Sequence, residues 1–244
     1  MDSWFGATST YYFEPFSASH LAMLATAATG LILLILFRKQ LRPKSRTFST
    51  LRWILFVLLL VSETSYQYWT ISNGLWNFSG HVPLHLCGIA SITAMIGLLT
   101  MNKTWIQISF FIGLFPAILA MVTPELPYGY QHFRFWKFFV HHTAIPWACL
   151  FLALAKPATI TLRSVFKVYF LLILYALIIG FIVNSLTGSN YLYLSQLPDA
   201  TTPLNFFGDG IWYYLNLGLT ALALFLLQYY AWNRFILKNP KRLP

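Results

Sequence analysis

Residues 164–184, SVFKVYFLLILYALIIGFIVN, form a predominantly apolar run that contains a single charged side chain, Lys167. A transmembrane helix needs about 20 such residues to cross the hydrocarbon core of a bilayer. The rest of the chain has the same character, because 58% of its 244 residues are hydrophobic and 9% are charged. So few charges do not suffice to cover a soluble surface. The sequence therefore predicts an all-α polytopic membrane protein.

Further apolar runs of similar length predict six more helices, so that residues 1–244 form a single seven-span integral membrane domain. The predicted spans are 20–37, 51–71, 82–101, 104–123, 135–155, 163–185 and 211–232. Pro83 falls in the first turn of the third predicted span, where proline is tolerated.

The basic residues predict the orientation of the spans. Of the 16 Lys and Arg residues, 14 lie in the tail or in loops that would share one side of the membrane, and only Arg134 and Lys137 lie on the other. Because Lys and Arg concentrate on the cytoplasmic side, we expect the N-terminus outside, the C-terminus in the cytoplasm and a multi-pass location in the cell membrane. The net charge of +10 therefore reflects topology and does not indicate a nucleic-acid partner.

Three polar side chains from different predicted spans lie at similar depths. At a rise of about 1.5 Å per helical residue, Glu63, Cys87 and His142 lie roughly 12, 8 and 10 Å from the outer ends of their spans. Ionisable groups inside a membrane are costly unless they are paired, and they often mark functional sites. We therefore expect these three side chains to meet in one outward-facing pocket.

The segment HVPLHLCGIA, residues 81–90, carries two histidines and a cysteine into the third predicted span. His81 and His85 are four residues apart and would share one face of a regular helix, whereas Cys87 would face away from His85. A buried cysteine becomes nucleophilic only when a base takes its proton. We expect that base from the fifth predicted span, where adjacent His141 and His142 point about 100° apart, so that one of them faces a given pocket.

The chain resembles the YwaF-type integral membrane proteins, whose animal relatives include a transmembrane phospholipid acyltransferase. Four segments carry the resemblance, and they occur in the order FEPFSASH, HVPLHLC, FRFWKFFVHH and NYLYL. The resemblance implies a seven-span fold in which a cysteine and a histidine transfer a fatty acyl chain between lipids. The cysteine corresponds to Cys87 and the histidine to His142, with His141 as the next candidate.

These residues define a first hypothesis, a lipid acyltransferase or lipid hydrolase whose partners are membrane lipids. Cys87 would attack an acyl ester and His142 would take the thiol proton. His85 or Asn190 could donate a hydrogen bond to the oxyanion, and Glu63 could orient a histidine. The candidate substrate-binding residues are His81, Asn190, Tyr191 and His20. This chemistry requires no metal and no cofactor, and it leaves the oligomeric state open.

Two alternatives remain open from the residues alone. His81 and His85 have a spacing that lets two imidazoles bind one metal ion, and Glu63, His142 or Cys87 could complete such a site. Alternatively, the outer pocket binds a small molecule in a carrier or sensor that is not an enzyme. The sequence shows no internal repeat, which counts modestly against a secondary transporter.

Overall fold

The computed structural model describes residues 4–41, 43, 45–198 and 202–237, and it confirms the predicted all-α membrane fold. The α-helices are α1 (Ala18–Leu36), α2 (Arg46–Ser72), α3 (Phe78–His81), α4 (Leu86–Thr100), α5 (Lys103–Val122), α6 (Phe133–Ala155), α7 (Leu162–Ile178), α8 (Ser185–Thr187) and α9 (Ile211–Trp232). A π-helix, Ile179–Asn184, joins α7 to α8, and another, Asn233–Leu237, extends α9. The long helices α1, α2, α5, α6 and α7 begin where a side chain accepts an N-terminal N–H, which satisfies a donor that the helix leaves free. The capping residues are Ser17, Ser45, Asn102, His132 and Thr161.

Six helical segments are long and apolar enough to cross a membrane, among the residues that the structure describes. They correspond to α1, α2, α5, α6, the α7–α8 segment and the extended α9. The apolar run predicted as the third span forms α4, which has 15 residues. It is about 22 Å long, shorter than the hydrocarbon core of about 30 Å. The multi-pass class is thus established, while the count of seven spans and their orientation stay predictions.

Helix α4 begins four residues later than the predicted span 82–101. Pro83 lacks a backbone N–H and favours extended backbone in the residue before it. Val82, directly before Pro83, has ψ 137°, and His85, two residues after it, has ψ 158°, so both are extended. His81 is the last residue of α3. The prediction that His81 and His85 share one helical face is therefore wrong, because a non-helical segment separates them.

Helix α6 lies at the centre of the bundle and packs against α1, α2, α4 and α5. In its most apolar 18-residue window 78% of residues are buried, against 50% for α5 and 17–22% for the other long helices. Close contact with α1 depends on Gly30, where a Cβ atom would lie 2.1 Å from the Trp147 ring. The indole of Trp147 also donates a hydrogen bond of 2.9 Å to the Ala27 carbonyl.

Helices α4 and α6 run parallel to each other because both are antiparallel to α5. A tight turn after Thr100 reverses the chain from α4 into α5. The end of α5 meets the first half of α6, where Thr143 Oγ1 lies 3.5 Å from Met121 Sδ. The start of α5 meets the residues after α6, where Gln107 Nε2 donates a hydrogen bond of 2.7 Å to the Thr159 carbonyl.

Gly113 of α5 is in close contact with both α4 and α6. A Cβ atom at this position would lie 2.6 Å from Cys149 Sγ and 3.2 Å from both Ala90 Cβ and Ile145 Cγ2. Real Cβ atoms essentially never approach another heavy atom as closely as 2.6 Å. Glycine therefore sets how near α4 and α6 lie to α5 at this point.

Basic side chains from α2, α7 and the residue after α6 gather at the opposite end of the bundle from Arg134 and Lys137. Arg52 donates to the carbonyls of Leu98 and Leu99, and Lys156 donates to that of Met101. These carbonyls end α4, where the helix dipole favours cations. The separation of the two groups of basic residues agrees with the asymmetry seen in the sequence.

Candidate functional site

A cluster of charged and polar side chains joins α2 to α6 near the end of the bundle that carries Arg134. The Glu63 carboxylate lies 3.8 Å from Lys137 Nζ and 4.0 Å from His141 Nε2. Lys137 and His141 are four residues apart on α6, so both project from one face of the helix toward α2. The Glu63, Lys137 and His141 side chains are only 17%, 9% and 3% exposed. An ionised pair in such a site is retained only when each charge has a close partner.

Gln67 connects this cluster to the HVPLH segment. Its Nε2 donates to Glu63 Oε1 at 2.8 Å and to the His81 carbonyl at 2.9 Å, while its Oε1 accepts from Trp76 Nε1 at 2.9 Å. The His81 ring accepts an N–H from Asn77 at Nδ1, so its neutral form carries the proton on Nε2.

The guanidinium of Arg134 lies at the outer edge of the cluster against two aromatic rings of α2. Its central carbon lies 4.5 Å from the ring centroid of Tyr66 and 5.1 Å from that of Trp69. Lys137 Nζ contacts the same Tyr66 ring at 4.3 Å. Contact with aromatic faces partly offsets the cost of taking these two cations out of water.

The two adjacent histidines of α6 have different surroundings. His141 faces Glu63, and its Nδ1 is buried without a hydrogen-bond partner among the described residues. His142 Nδ1 lies 2.8 Å from the Phe138 carbonyl, and its ring stacks on that of Phe138. Because a carbonyl can only accept, Nδ1 of His142 carries the proton, and in the neutral ring Nε2 is the basic nitrogen.

Cys87 lies in the first turn of α4, and His142 lies near the middle of the parallel helix α6. At Gly113, α4 contributes Ala90 and α6 contributes both Ile145 and Cys149. Cys87 is three residues before Ala90, whereas His142 is three residues before Ile145 and seven before Cys149, so both residues lie on the same side of this contact. In the described part of the chain no hydrogen bond joins the Cys87 thiol to either histidine of α6. Lys137 interacts electrostatically with Cys87.

Cys87 is the second residue of α4 and so belongs to the helix's first turn. His85 occupies the N-cap position and makes no capping hydrogen bond with its side chain. The first N–H groups of a helix have no partner within the helix and attract anions. The Pro83 carbonyl packs so closely that a Cβ atom on Gly88 would lie 2.5 Å from it. Glycine is therefore required next to Cys87 for the chain to enter the helix in this way.

The NYLYL segment packs against the HVPLH segment. The rings of Tyr191 and Tyr193 lie 5.2 Å from that of His85, and the Tyr191 hydroxyl donates to the Phe78 carbonyl. Tyr191 is completely buried. Two of the segments that carry the family resemblance are thus in direct contact.

Two of the predicted substrate-binding residues have side chains that are engaged elsewhere. His20 accepts the Phe16 N–H at Nδ1 and donates from Nε2 to the Met121 carbonyl at 2.8 Å. The Asn190 amide donates to the Gln196 carbonyl and accepts the N–H groups of Ser195 and Gln196. His20 therefore links α1 to α5, and Asn190 closes its own loop.

Among the described residues, no three His, Cys, Asp or Glu side chains are placed to hold one metal ion. The two histidines proposed as a chelating pair lie on separate segments, as described above. His81 contacts Tyr66, whereas His85 contacts Tyr191.

The TMEM164 family model matches residues 15–229 of the chain. The chain belongs to the TMEM164 family. The matched range covers every candidate residue from His20 to Tyr191 and both parallel helices. Neither the curated proteins nor the solved structures include one that matches the chain.

Sequence reasoning missed the importance of Lys137, Arg134 and Gln67. From the sequence, Lys137 and Arg134 were considered only as the two basic residues that lie opposite the other 14. The position of these two residues was the available signal, because a cation within the apolar end of a membrane span usually has a specific partner or function. Gln67 had no comparable signal, since a single amide one turn from Glu63 is common on helices.

Proposed function

We propose that the protein is a membrane-embedded lipid acyltransferase or lipid hydrolase in which Cys87 is the nucleophile and His142 the base. The observation that carries the proposal is that both residues lie on the same side of the Gly113 contact, on parallel helices that each pack against α5. The proton on His142 Nδ1 is held by the Phe138 carbonyl, and this leaves Nε2 as the nitrogen that can accept a proton. The resemblance to YwaF-type proteins and to an animal phospholipid acyltransferase supports the same pair of residues.

The reaction has two steps that balance in atoms and charge. The Cys87 sulfur attacks the carbonyl carbon of a lipid ester while His142 Nε2 takes the thiol proton. The ester C–O bond then breaks, and the leaving lipid alcohol takes that proton from His142. In the second step an acceptor hydroxyl gives its proton to His142 and attacks the thioester carbonyl. The Cys87 thiolate leaves and is reprotonated by His142. A lipid hydroxyl as acceptor gives acyl transfer, and water gives hydrolysis.

The start of α4 supplies the electrostatic part of the proposed mechanism. The oxyanion formed at the ester carbonyl would accept hydrogen bonds from first-turn N–H groups beside Cys87, which the N-cap side chain leaves free. Donors fixed in this way before the reaction stabilise developing negative charge. Glu63 does not contact the substrate in this mechanism. It is a positioning residue that holds Lys137 and His141 on the adjacent face of α6.

We further infer that α4 completes a seven-span bundle with its N-terminus outside the cell membrane. The extended segment 82–85 and the short helix α3 would continue the path that α4 begins. The site would then face the outer leaflet, where ester carbonyls of lipids reach the depth of Cys87.

Labelling of the two cysteines by a lipid-like electrophile tests the proposal. An acyl-chain chloroacetamide should modify Cys87 in membranes and leave Cys149 unmodified. Cys149 is a matched control, since it is a completely buried thiol on α6 packed against Gly113. His142→Ala should slow labelling of Cys87 by about 100-fold, the lower end of the effect of a general base, and His141→Ala should slow it less. Equal labelling of both cysteines, or labelling that ignores both histidines, would overturn the proposal.

Turnover separates the two reactions and the alternative of a carrier. Purified protein in vesicles is given a phospholipid with a labelled acyl chain and a lysophospholipid acceptor. Labelled diacyl product indicates transfer, and labelled free fatty acid indicates hydrolysis. Cys87→Ala should abolish both, and Cys149→Ala should retain them. Binding of lipid without turnover in the unmodified protein would favour a carrier.

A further inference from the structure

The Arg134 side chain is half-buried, and its guanidinium donates no hydrogen bond to a described residue. Its Nε is buried and has no hydrogen-bond partner, and no carboxylate of these residues lies within 4.0 Å of it. Its two close contacts are the faces of Tyr66 and Trp69, which accept no directed N–H bond in the plane of the guanidinium. A buried donor without an acceptor costs about 1–3 kcal/mol. The planar fork is therefore suited to receive an acceptor from outside the chain.

The charge of the surrounding cluster favours an anion. Arg134 and Lys137 carry two positive charges, and Glu63 supplies one negative charge. One Glu63 oxygen already accepts from Gln67, and the other faces Lys137 and His141. The cluster thus has a net charge of +1, which a monoanion would neutralise.

The position of Arg134 along α6 selects the kind of anion. It is the second residue of the helix, at the end of the span where lipid phosphates lie, and Lys137 is one turn further in. His142 lies eight residues, or about 12 Å, beyond Arg134. In a glycerophospholipid the phosphate and the ester carbonyls are separated by the few bonds of the glycerol backbone. A phosphate held between Arg134 and Lys137 therefore leaves the esters further along α6, in the direction of His142.

We propose that Arg134 and Lys137 form a binding site for the phosphate group of a glycerophospholipid. Arg134 binds two phosphate oxygens through its fork, as guanidinium groups do with phosphates. Lys137 contributes a point charge while its ammonium stays paired with Glu63. The proposal assigns a headgroup-binding role to these two residues and rests on the proposed function only for the fate of the bound lipid.

Equilibrium binding of radiolabelled short-chain phosphatidylglycerol to the purified full chain in detergent tests the site. All arms use a Cys87→Ala background, so that bound lipid is not consumed. Arg134→Gln should weaken binding by about 10-fold or more, the loss of a hydrogen bond to a charged group. Glu63→Gln should strengthen it several-fold, because the cluster then loses its internal anion. A gain of affinity does not arise from misfolding, so this variant keeps the test valid if Arg134→Gln folds poorly.

Additional binding measurements identify the ligand and provide controls for the variants. Diacylglycerol with the same chains lacks the phosphate and should bind equally to the parent protein and to Arg134→Gln. Inorganic phosphate should compete weakly, and tighter binding of inorganic phosphate than of the lipid would overturn the assignment to a headgroup. Lys103→Gln removes an exposed cation at the opposite end of the bundle and should change nothing. Asp2→Asn should also change nothing, and lipid binding that occurs only in this variant would show that the chain's own carboxylate fills the site.

The outcome separates this proposal from the proposed function. Unaltered phospholipid binding in both Arg134→Gln and Lys137→Gln overturns the phosphate site, whatever turnover shows. Turnover that is lost in Cys87→Ala while these two variants keep full affinity leaves the acyl-transfer proposal intact. Weaker binding in both variants supports the phosphate site even if no turnover is detected.

Discussion

The ammonium group of Lys137 lies 3.8 Å from the carboxylate of Glu63 and ties the central helix α6 to α2. Both side chains are largely shielded, and Gln67 holds the carboxylate in place by a hydrogen bond of 2.8 Å. In such a site the attraction between the charges offsets the cost of burying them only while both partners are present. The pair therefore fixes the spacing of α2 and α6 at the height of the histidines.

Removing one partner of this pair should destabilise the bundle more than removing both. We expect Glu63→Ala to lower the free energy of unfolding by about 3 kcal/mol, because it leaves Lys137 buried without a counter-charge. Glu63→Met combined with Lys137→Leu should cost less than the sum of the single changes. Thermal unfolding in detergent measures the difference, with Lys103→Met as a control of exposed charge. Additive effects of the two single changes would show that the pair is not coupled.

Gly113→Ala should loosen the contact of α5 with α4 and α6. The added Cβ would lie 2.6 Å from Cys149 Sγ, and forcing extra atoms into a packed core typically costs about 1–3 kcal/mol. We expect a lower unfolding temperature and slower labelling of Cys87 by the lipid-like electrophile, since Cys87 and His142 would shift relative to each other.

Two further variants make the Gly113 prediction specific. Cys149→Ala removes the closest atom and should restore part of the stability of Gly113→Ala. Gly218→Ala in α9 is the matched control, because its added Cβ meets no atom closer than 3.4 Å. It should be neutral or stabilising, since alanine favours helix over glycine. Equal losses for Gly113→Ala and Gly218→Ala would contradict the steric argument.

The topology is tested by reporters fused to the two ends of the chain. The asymmetry of 14 basic residues against two predicts that a reporter after Pro244 is cytoplasmic and one before Met1 is not. An odd number of spans, and hence a membrane-crossing path through α4, requires opposite results. Matching results at the two ends would mean an even number of spans and would leave α4 as a helix that does not cross.

At the third predicted span, the length of the apolar run did not predict where the helix begins. Apolar run length predicts helices well, since a bilayer imposes one length on every span, and α5 and α6 agree with their predicted bounds within two residues. Pro83 was placed in a first helical turn, although proline is equally compatible with the extended backbone that the structure has here. Run length does not distinguish these two outcomes.

For the candidate site residues, the sequence likewise predicts some properties, and others depend on the tertiary structure. Depth counting, which needs only the rise of a helix, predicts similar heights for Cys87 and His142. The Gly113 contact places both residues on the same side of it, and their equal depth stays a prediction. Their meeting with Glu63 in one pocket stays a prediction. The direction in which each histidine points depended on which helices surround α6, and adjacent residues on a helix do not reveal this.

By itself the sequence determined the membrane class, most span bounds and the separation of the basic residues, because these follow from local composition and from the thickness of a bilayer. Tertiary structure alone decided that Lys137 pairs with Glu63, that Arg134 lies on Tyr66 and Trp69 without a carboxylate among the described residues, and that NYLYL covers His85. Each of these contacts joins segments far apart in the chain. Their partners are set by which faces of the helices pack together at positions such as Gly30 and Gly113, and helical periodicity carries no information on that choice.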